Sequence, residues 1–293
     1  MKRAAALTML ALAVSPAVRA DDSAKSVNDS ARGVNAAARA ANAGARQLNT
    51  PAGHTVGSTP LAACKGTIYL TFDTGSQSQA ELIADTLNRH KIKATFFLAN
   101  EKTVRGDYSL DLSWSSYWKA RVAEGHAVGT HSWDHAVFAR DGTDGTVVVK
   151  PGFGPQAGKQ VSWTPQQYCE QLKRVDQRFV ELTGAHLDPL WRAPAGHTSP
   201  RLLEIGKACG YAHVGWSPAG FSGDELSSEK YPNTVLLQKS LRDLRGGDIV
   251  LIHMGIWSRK DPWAPANLEP LISGLEQKGM CFATLREHPD YKK

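Results

Sequence analysis

The chain has 293 residues, 42% of them hydrophobic, with a formal net charge of +6. That length and apolar content suit one sizeable domain with a buried core, and they exclude a wholly disordered chain. The charge is too small to point to a nucleic-acid partner.

The first 20 residues read as a secretory signal peptide. Lys2 and Arg3 form a basic start, residues 4–14 are apolar but too short to span a bilayer, and Val18-Arg19-Ala20 resembles a cleavage site. Losing Lys2, Arg3 and Arg19 leaves 31 basic against 28 acidic side chains, a balance that permits peripheral contact with an anionic cell envelope. The expected location is outside the cytoplasm, periplasmic or secreted. Residues 21–60 form an Ala/Asn/Arg-rich leader with no aromatic residue and three seven-residue repeats, SVNDSAR, GVNAAAR and AANAGAR. The repeats place Val27, Val34, Ala41 and Leu48 on one helical stripe, but so much alanine favours a low-complexity leader over a docking helix.

From residue 61 to 293 the pattern is that of a single folded domain. Short β-type runs fall at 67–72, 94–98, 127–130, 190–193, 213–217, 248–253 and 280–284. Helical periods fall between them at 79–90, 116–124, 165–182, 200–209, 235–244 and 266–278. Seven strands alternating with six helices predict an α/β fold on a parallel sheet, open or closed. Residues 140–162 show no clear period and read as a surface loop over the site. In an exported chain four cysteines favour two disulfides. Cys64 and Cys281 flank the first and last strands, which predicts Cys64–Cys281 and Cys169–Cys209.

Reactive residues concentrate where predicted strands end: Asp73 after YLTF, His131 after AVGT, Arg192 after LDPLW, and His253 at the end of DIVLI. In parallel β/α folds those ends share one face, where active sites form. His131 and His135, four residues apart, can aim two imidazoles at a metal, with Asp134 between them placed to hold a ring N–H. Asp73 can act as general base toward the attacking water, Arg192 can orient that carboxylate, and His253 can protonate a leaving amine. Together these groups describe an amide hydrolase.

Four stretches carry a family resemblance: TFDTG (71–75), HSWDH (131–135), RAPAG (192–196) and LIHMG (251–255). Their order and spacing resemble the polysaccharide deacetylases of the NodB homology family, carbohydrate esterase family 4. The resemblance implies a distorted (β/α) barrel of about seven strands and removal of N- or O-acetyl groups from chitin-like sugars, peptidoglycan or xylan. It also implies a divalent metal, usually zinc. It makes Asp73 the base, His131 and His135 the metal ligands, Arg192 the tether of the base, His253 the acid, and the Ala195 N–H an oxyanion donor. Three departures stand out. Thr74 replaces the family's metal-binding Asp, so either the Thr74 hydroxyl or a water completes a weaker site, or Asp73 itself turns to the metal, or the site is metal-free. Ala195 replaces an aromatic. The stretch VGWSPAGFSGDE lacks the usual Asp that contacts the Arg, leaving Asp224 and Glu225 as substitutes and Trp216 and Phe221 as either a sugar-binding wall or core packing. His197, close to RAPAG, is a candidate substrate contact. The expected function is a metal-dependent deacetylase of peptidoglycan or a surface glycan. The alternatives are a metal-independent amide hydrolase on the same fold and a glycan-binding relative without catalysis.

Overall fold

The computed structural model describes residues 64–292. The signal-peptide and leader expectations, residues 1–60, lie outside the described residues.

The strands are β1 (Gly66–Asp73), β2 (Thr95–Leu98), β3 (Ala127–Thr130), β4 (Ala136–Asp141), β5 (Val147–Pro151) and β6 (Val161–Trp163). They continue with β7 (Leu190–Trp191), β8 (Ala212–His213), β9 (Ile249–His253) and β10 (Met280–Phe282). The helices are α1 (Ala80–Arg89), α2 (Ser115–Ala123), α3 (Pro165–Thr183), α4 (Pro200–Ala208), α5 (Asn233–Asp243) and α6 (Trp263–Gln277).

Seven strands form one sheet in the order β10-β1-β2-β3-β7-β8, with β9 also pairing β1, and all their pairings are parallel. The sheet curls because the chain after β8 returns to β9. The Ser217 N–H donates to the Ile249 carbonyl at 3.0 Å, the Ile249 N–H donates to Ser217 Oγ, and Phe221 bridges Leu251. Gly220 permits this closure, since a Cβ there would stand 1.9 Å from the Ile249 carbonyl oxygen. The result is the distorted β/α barrel expected from the sequence.

Strand alternation decides which side chains reach the barrel interior. Ile68, Leu70 and Phe72 of β1, with Val250 and Ile252 of β9, pack outward against Ile83 and Leu87 of α1 and Leu268 and Leu271 of α6. Tyr69, Ile249 and Leu251 take the opposite parity and fill the interior with Phe97, Leu190 and Trp216. Asp73 and His253 follow that inner parity at the last positions of their strands.

The helices start and stop on local signals. The α3 helix carries a reciprocal Thr164–Gln167 capping box, Pro165 in its first turn, and Gly184 at φ 81° closing its C-terminus. The α6 helix begins at Trp263, three residues before the apolar period predicts. Pro265 sits in its first turn, where no N–H is required, and Trp263 is buried. The two disulfides join Cys64 to Cys281 and Cys169 to Cys209, with Cα–Cα distances of 5.7 and 5.6 Å.

The 140–162 segment is not the surface loop that its lack of period suggests. β4, β5 and β6 form a separate antiparallel sheet. Its inner residues Phe138, Val147, Val149 and Trp163 pack on Tyr168 and Leu172 of α3 and on Trp191. The missed signal was Asp144-Gly145 before a run of three valines, a turn followed by β-branched residues.

Candidate active site

Asp73 and His253 are direct register partners on the adjacent parallel strands β1 and β9. This pairing fixes a carboxylate and an imidazole side by side at the C-terminal rim. Arg192, one residue past β7, comes from across the barrel. Its Nη1 donates to Asp73 Oδ1 at 2.8 Å. The guanidinium is 0% exposed and Asp73 is 2% exposed, so each charge depends on the other for compensation. Arg192 also donates from Nε to the Val214 carbonyl and from Nη2 to the Gly215 carbonyl, and its guanidinium lies 4.3 Å above the Phe97 ring. Burial lowers the Arg192 pKa, with Asp73 opposing that effect.

The two metal-candidate histidines lie on the turn between β3 and β4. His131 Nε2 is 3.5 Å from Asp73 Oδ2. Its Nδ1 lies 2.9 Å from the Arg192 carbonyl, which sets Nδ1 as the protonated nitrogen and leaves the Nε2 lone pair facing the site. Burial, then the neighbouring His135, holds the His131 pKa well below the usual histidine value, so the ring is neutral. The His131 and His135 rings stand 4.9 Å apart in a T-shaped arrangement. Ser132 and His135 both adopt positive φ (61° and 48°). This costly backbone is braced by the Ser132 carbonyl accepting from the His135 N–H, by Ser132 Oγ accepting from the Ala136 N–H, and by the Gly152 N–H donating to the His135 carbonyl. The small sheet therefore anchors the turn that holds both imidazoles.

His253 is paired with Asp224. The ring Nδ1 lies 3.0 Å from Asp224 Oδ1, and the His253 backbone N–H donates to Oδ2 at 2.6 Å. Burial alone would lower the His253 pKa. The charge and hydrogen bond of Asp224, with the charges of Glu225 and Asp73, outweigh it and push the value up to about 10. His253 is thus an imidazolium at neutral pH, with its Nε2 proton turned away from Asp224.

A family profile described as polysaccharide deacetylase matches residues 62–214, just over half of the sequence. The chain belongs to the polysaccharide deacetylase family. It is 27% identical over 239 residues to the peptidoglycan-N-acetylglucosamine deacetylase PgdA of Listeria monocytogenes, a span of 81% of this chain and 42% of that protein. The chain thus matches about two-fifths of that relative's length. Among solved structures, Bacillus subtilis PdaA, a family 4 carbohydrate esterase, superposes with a TM-score of 0.55 at 24% identity, over 78% of this chain and 82% of that one. A family 4 pseudoenzyme from Bacillus anthracis superposes with a TM-score of 0.55 at 19% identity, over 76% and 65% of the two chains.

Within the family frame, several residues stand elsewhere than the sequence suggests. Asp224, considered as a partner for Arg192, belongs to His253, because Arg192 already has the Val214 and Gly215 carbonyls and Asp73. Asp134 does not hold a histidine ring. Its Oδ2 accepts from Gln171 Nε2 at 3.0 Å and its N–H donates to Gln171 Oε1, while the Arg192 carbonyl meets His131. Trp216, 2% exposed, is interior packing rather than a sugar-binding wall, and Phe221 is buried with it. The Trp216 ring lies where a Cβ on Gly196 would fall, directly beneath the RAPAG turn. Ala195 is exposed on that turn with φ 56°, and His197 is exposed beside it. Glu225, which the sequence offered only as a substitute for an Arg partner, faces the acid instead, with Oε2 4.0 Å from His253 Nε2.

Among the described residues, no three His, Cys, Asp or Glu side chains are already gathered as a metal site. The imidazoles of His131 and His135 offer a zinc-type ion two nitrogen donors. Thr74 stands at the third position. Its buried hydroxyl accepts the Ala99 N–H at 3.0 Å, so it brings neither charge nor a fully available oxygen.

Proposed function

We propose that this protein is an exported hydrolase that removes acetyl groups from an N-acetylated glycan, with peptidoglycan as the substrate class. The observation that carries the reading is the side-by-side placement of Asp73 and His253 on β1 and β9, each backed by its own opposite charge. A carboxylate base held by a guanidinium next to an acid kept protonated is what amide hydrolysis requires. The peptidoglycan substrate rests on the names of the relatives, and export rests on the N-terminal pattern with two disulfides in support. No helix among the described residues is long and apolar enough to cross a membrane.

Asp73 takes a proton from the attacking water. Arg192 holds Oδ1, so Oδ2 is the oxygen that accepts it. His131 and His135 would hold a divalent ion, with zinc the expected metal, and that ion would supply Lewis-acid polarisation of the acetyl carbonyl. The Ala195 N–H, on the exposed lip, donates to the developing oxyanion. His253 gives its Nε2 proton to the departing sugar amine, while Asp224 stabilises the ring and fixes its orientation. His197 and Glu225 line the rim where the glycan enters.

The test is acetate release from peptidoglycan and from N-acetylglucosamine oligomers, before and after chelation and after adding back zinc. Release that chelation stops and zinc restores supports the reading. Release insensitive to chelation favours the metal-independent hydrolase. Glycan binding without release favours the non-catalytic relative, which Thr74 keeps in consideration.

A further inference from the structure

Two successive carboxylates meet opposite edges of the His253 ring. Asp224 is 3% exposed and fully committed: its Oδ1 lies 3.0 Å from His253 Nδ1, and its Oδ2 accepts the His253 backbone N–H at 2.6 Å. Glu225 faces the other edge, with Oε2 4.0 Å from Nε2. That separation is too long for a hydrogen bond, so the Nε2 proton and the Glu225 oxygen are not committed to each other. The Glu225 side chain is 37% exposed, so it is open to a molecule entering the rim.

The backbone that carries Glu225 is held on both sides. Before it, Asp224 is tied to His253 and accepts from Ser222 Oγ at 3.1 Å. After it, the Leu226 carbonyl accepts from Nη1 of the buried Arg259 at 2.6 Å, and the Leu226 N–H donates to the Gly223 carbonyl at 3.0 Å. The turn therefore fixes where the carboxylate stands relative to the acid.

An atom about 3 Å from both Nε2 and Oε2 fits within the 4.0 Å between them, at ordinary hydrogen-bond lengths. The leaving nitrogen of an acetamide suits that position. Once the acetyl carbon is tetrahedral, the nitrogen carries one lone pair and keeps its one hydrogen. As the C–N bond breaks, the electron pair stays on nitrogen and takes the His253 Nε2 proton, giving free amine and acetic acid. The nitrogen's own hydrogen is left to donate to Glu225. An acetate ester places an oxygen there, which has no hydrogen to offer and turns lone pairs toward the carboxylate.

We propose that Glu225 accepts the N–H of the acetamido group and so selects N-acetyl over O-acetyl substrates. Asp224 makes the acid, and Glu225 recognises the atom that receives the proton. The proposal rests on the deacetylase reading with His253 as the acid.

The test compares kcat/KM for acetate release from the N-acetylglucosamine trimer and from O-acetylated xylotriose. Assays run at about pH 7.5, where Asp224 keeps His253 protonated with or without Glu225. Glu225→Met keeps an unbranched stem but loses the acceptor oxygen. It should lower the ratio of amide to ester kcat/KM at least about 10-fold. Glu225→Gln keeps an acceptor oxygen and should recover at least about threefold of the amide release lost in Glu225→Met. A merely structural role would lower both activities together and leave the ratio unchanged. An unchanged ratio in Glu225→Met, or an equal loss of amide release in Glu225→Met and Glu225→Gln, would overturn the assignment while leaving the deacetylase reading intact. No acetate from either substrate with the wild-type protein, in any metal state, would remove that reading and this proposal with it.

Discussion

Asp224→Asn removes the charge 3.0 Å from His253 Nδ1 while keeping a side chain of the same outline. With Asp224 present, the His253 pKa is raised to about 10. Without that charge, burial is opposed only by the weaker pull of Glu225 and Asp73, and the value should fall to the ordinary histidine range or below. At pH 8 a group with pKa near 10 is about 99% protonated, whereas one near 6.5 is about 3% protonated. Loss of the acid form alone should therefore lower kcat/KM about 30-fold at pH 8, with a much smaller loss near pH 5.5. The assay is the pH profile of acetate release, in which the alkaline limb should move down by several pH units in the variant. Stability should follow the same linkage. Because the folded pKa is raised, the Asp224–His253 pair stabilises the native state fully below about pH 6.5, and that stabilisation is lost as pH rises through about 10. An alkaline limb at the same pH in wild type and variant would refute the pairing as the source of the acid.

Arg192→Ala leaves Asp73 buried without its counter-charge and should cost about 3–5 kcal/mol in urea unfolding, beyond any loss of activity. Gly220→Ala forces a methyl group into the Ile249 carbonyl where the barrel closes. It should destabilise by more than about 2 kcal/mol, which the same denaturation experiment would reveal. Replacing Cys64 and Cys281 by serine removes a link between residues 217 apart in sequence. A loss of about 2–5 kcal/mol is expected, read as a lower melting temperature that reductant no longer affects.

The barrel was legible because its strands are short apolar runs ending in chemically distinctive residues, and the inner parity of β1 and β9 can be counted from Asp73 and His253. The motif residues Asp73, Arg192, His131 and His135 likewise meet at one rim, with Arg192 on Asp73 and His131 beside it. The small β4–β6 sheet was not legible, because its polar outer face and scattered glycines conceal the alternation of Phe138, Val147 and Val149. Which residue Asp224 serves could not be read either. Adjacency in sequence to the expected Arg partner says nothing about which strand end a loop residue meets in space. Asp134 shows the same limit, since Gln171 lies 37 residues away on a helix that no local spacing connects to it.

The register between β1 and β9 also separates what can vary from what cannot. Because Asp73 and His253 share one rung of a parallel ladder, their spacing belongs to the sheet and is insulated from every loop around it. The loops of the small sheet, residues 142–146 and 154–160, could be exchanged without altering the spacing of Asp73 and His253 or the turn that carries His131 and His135. The spacing of Asp73 and His253 is therefore separable from the loops of the small sheet, and a loop grafted there should leave that spacing unchanged.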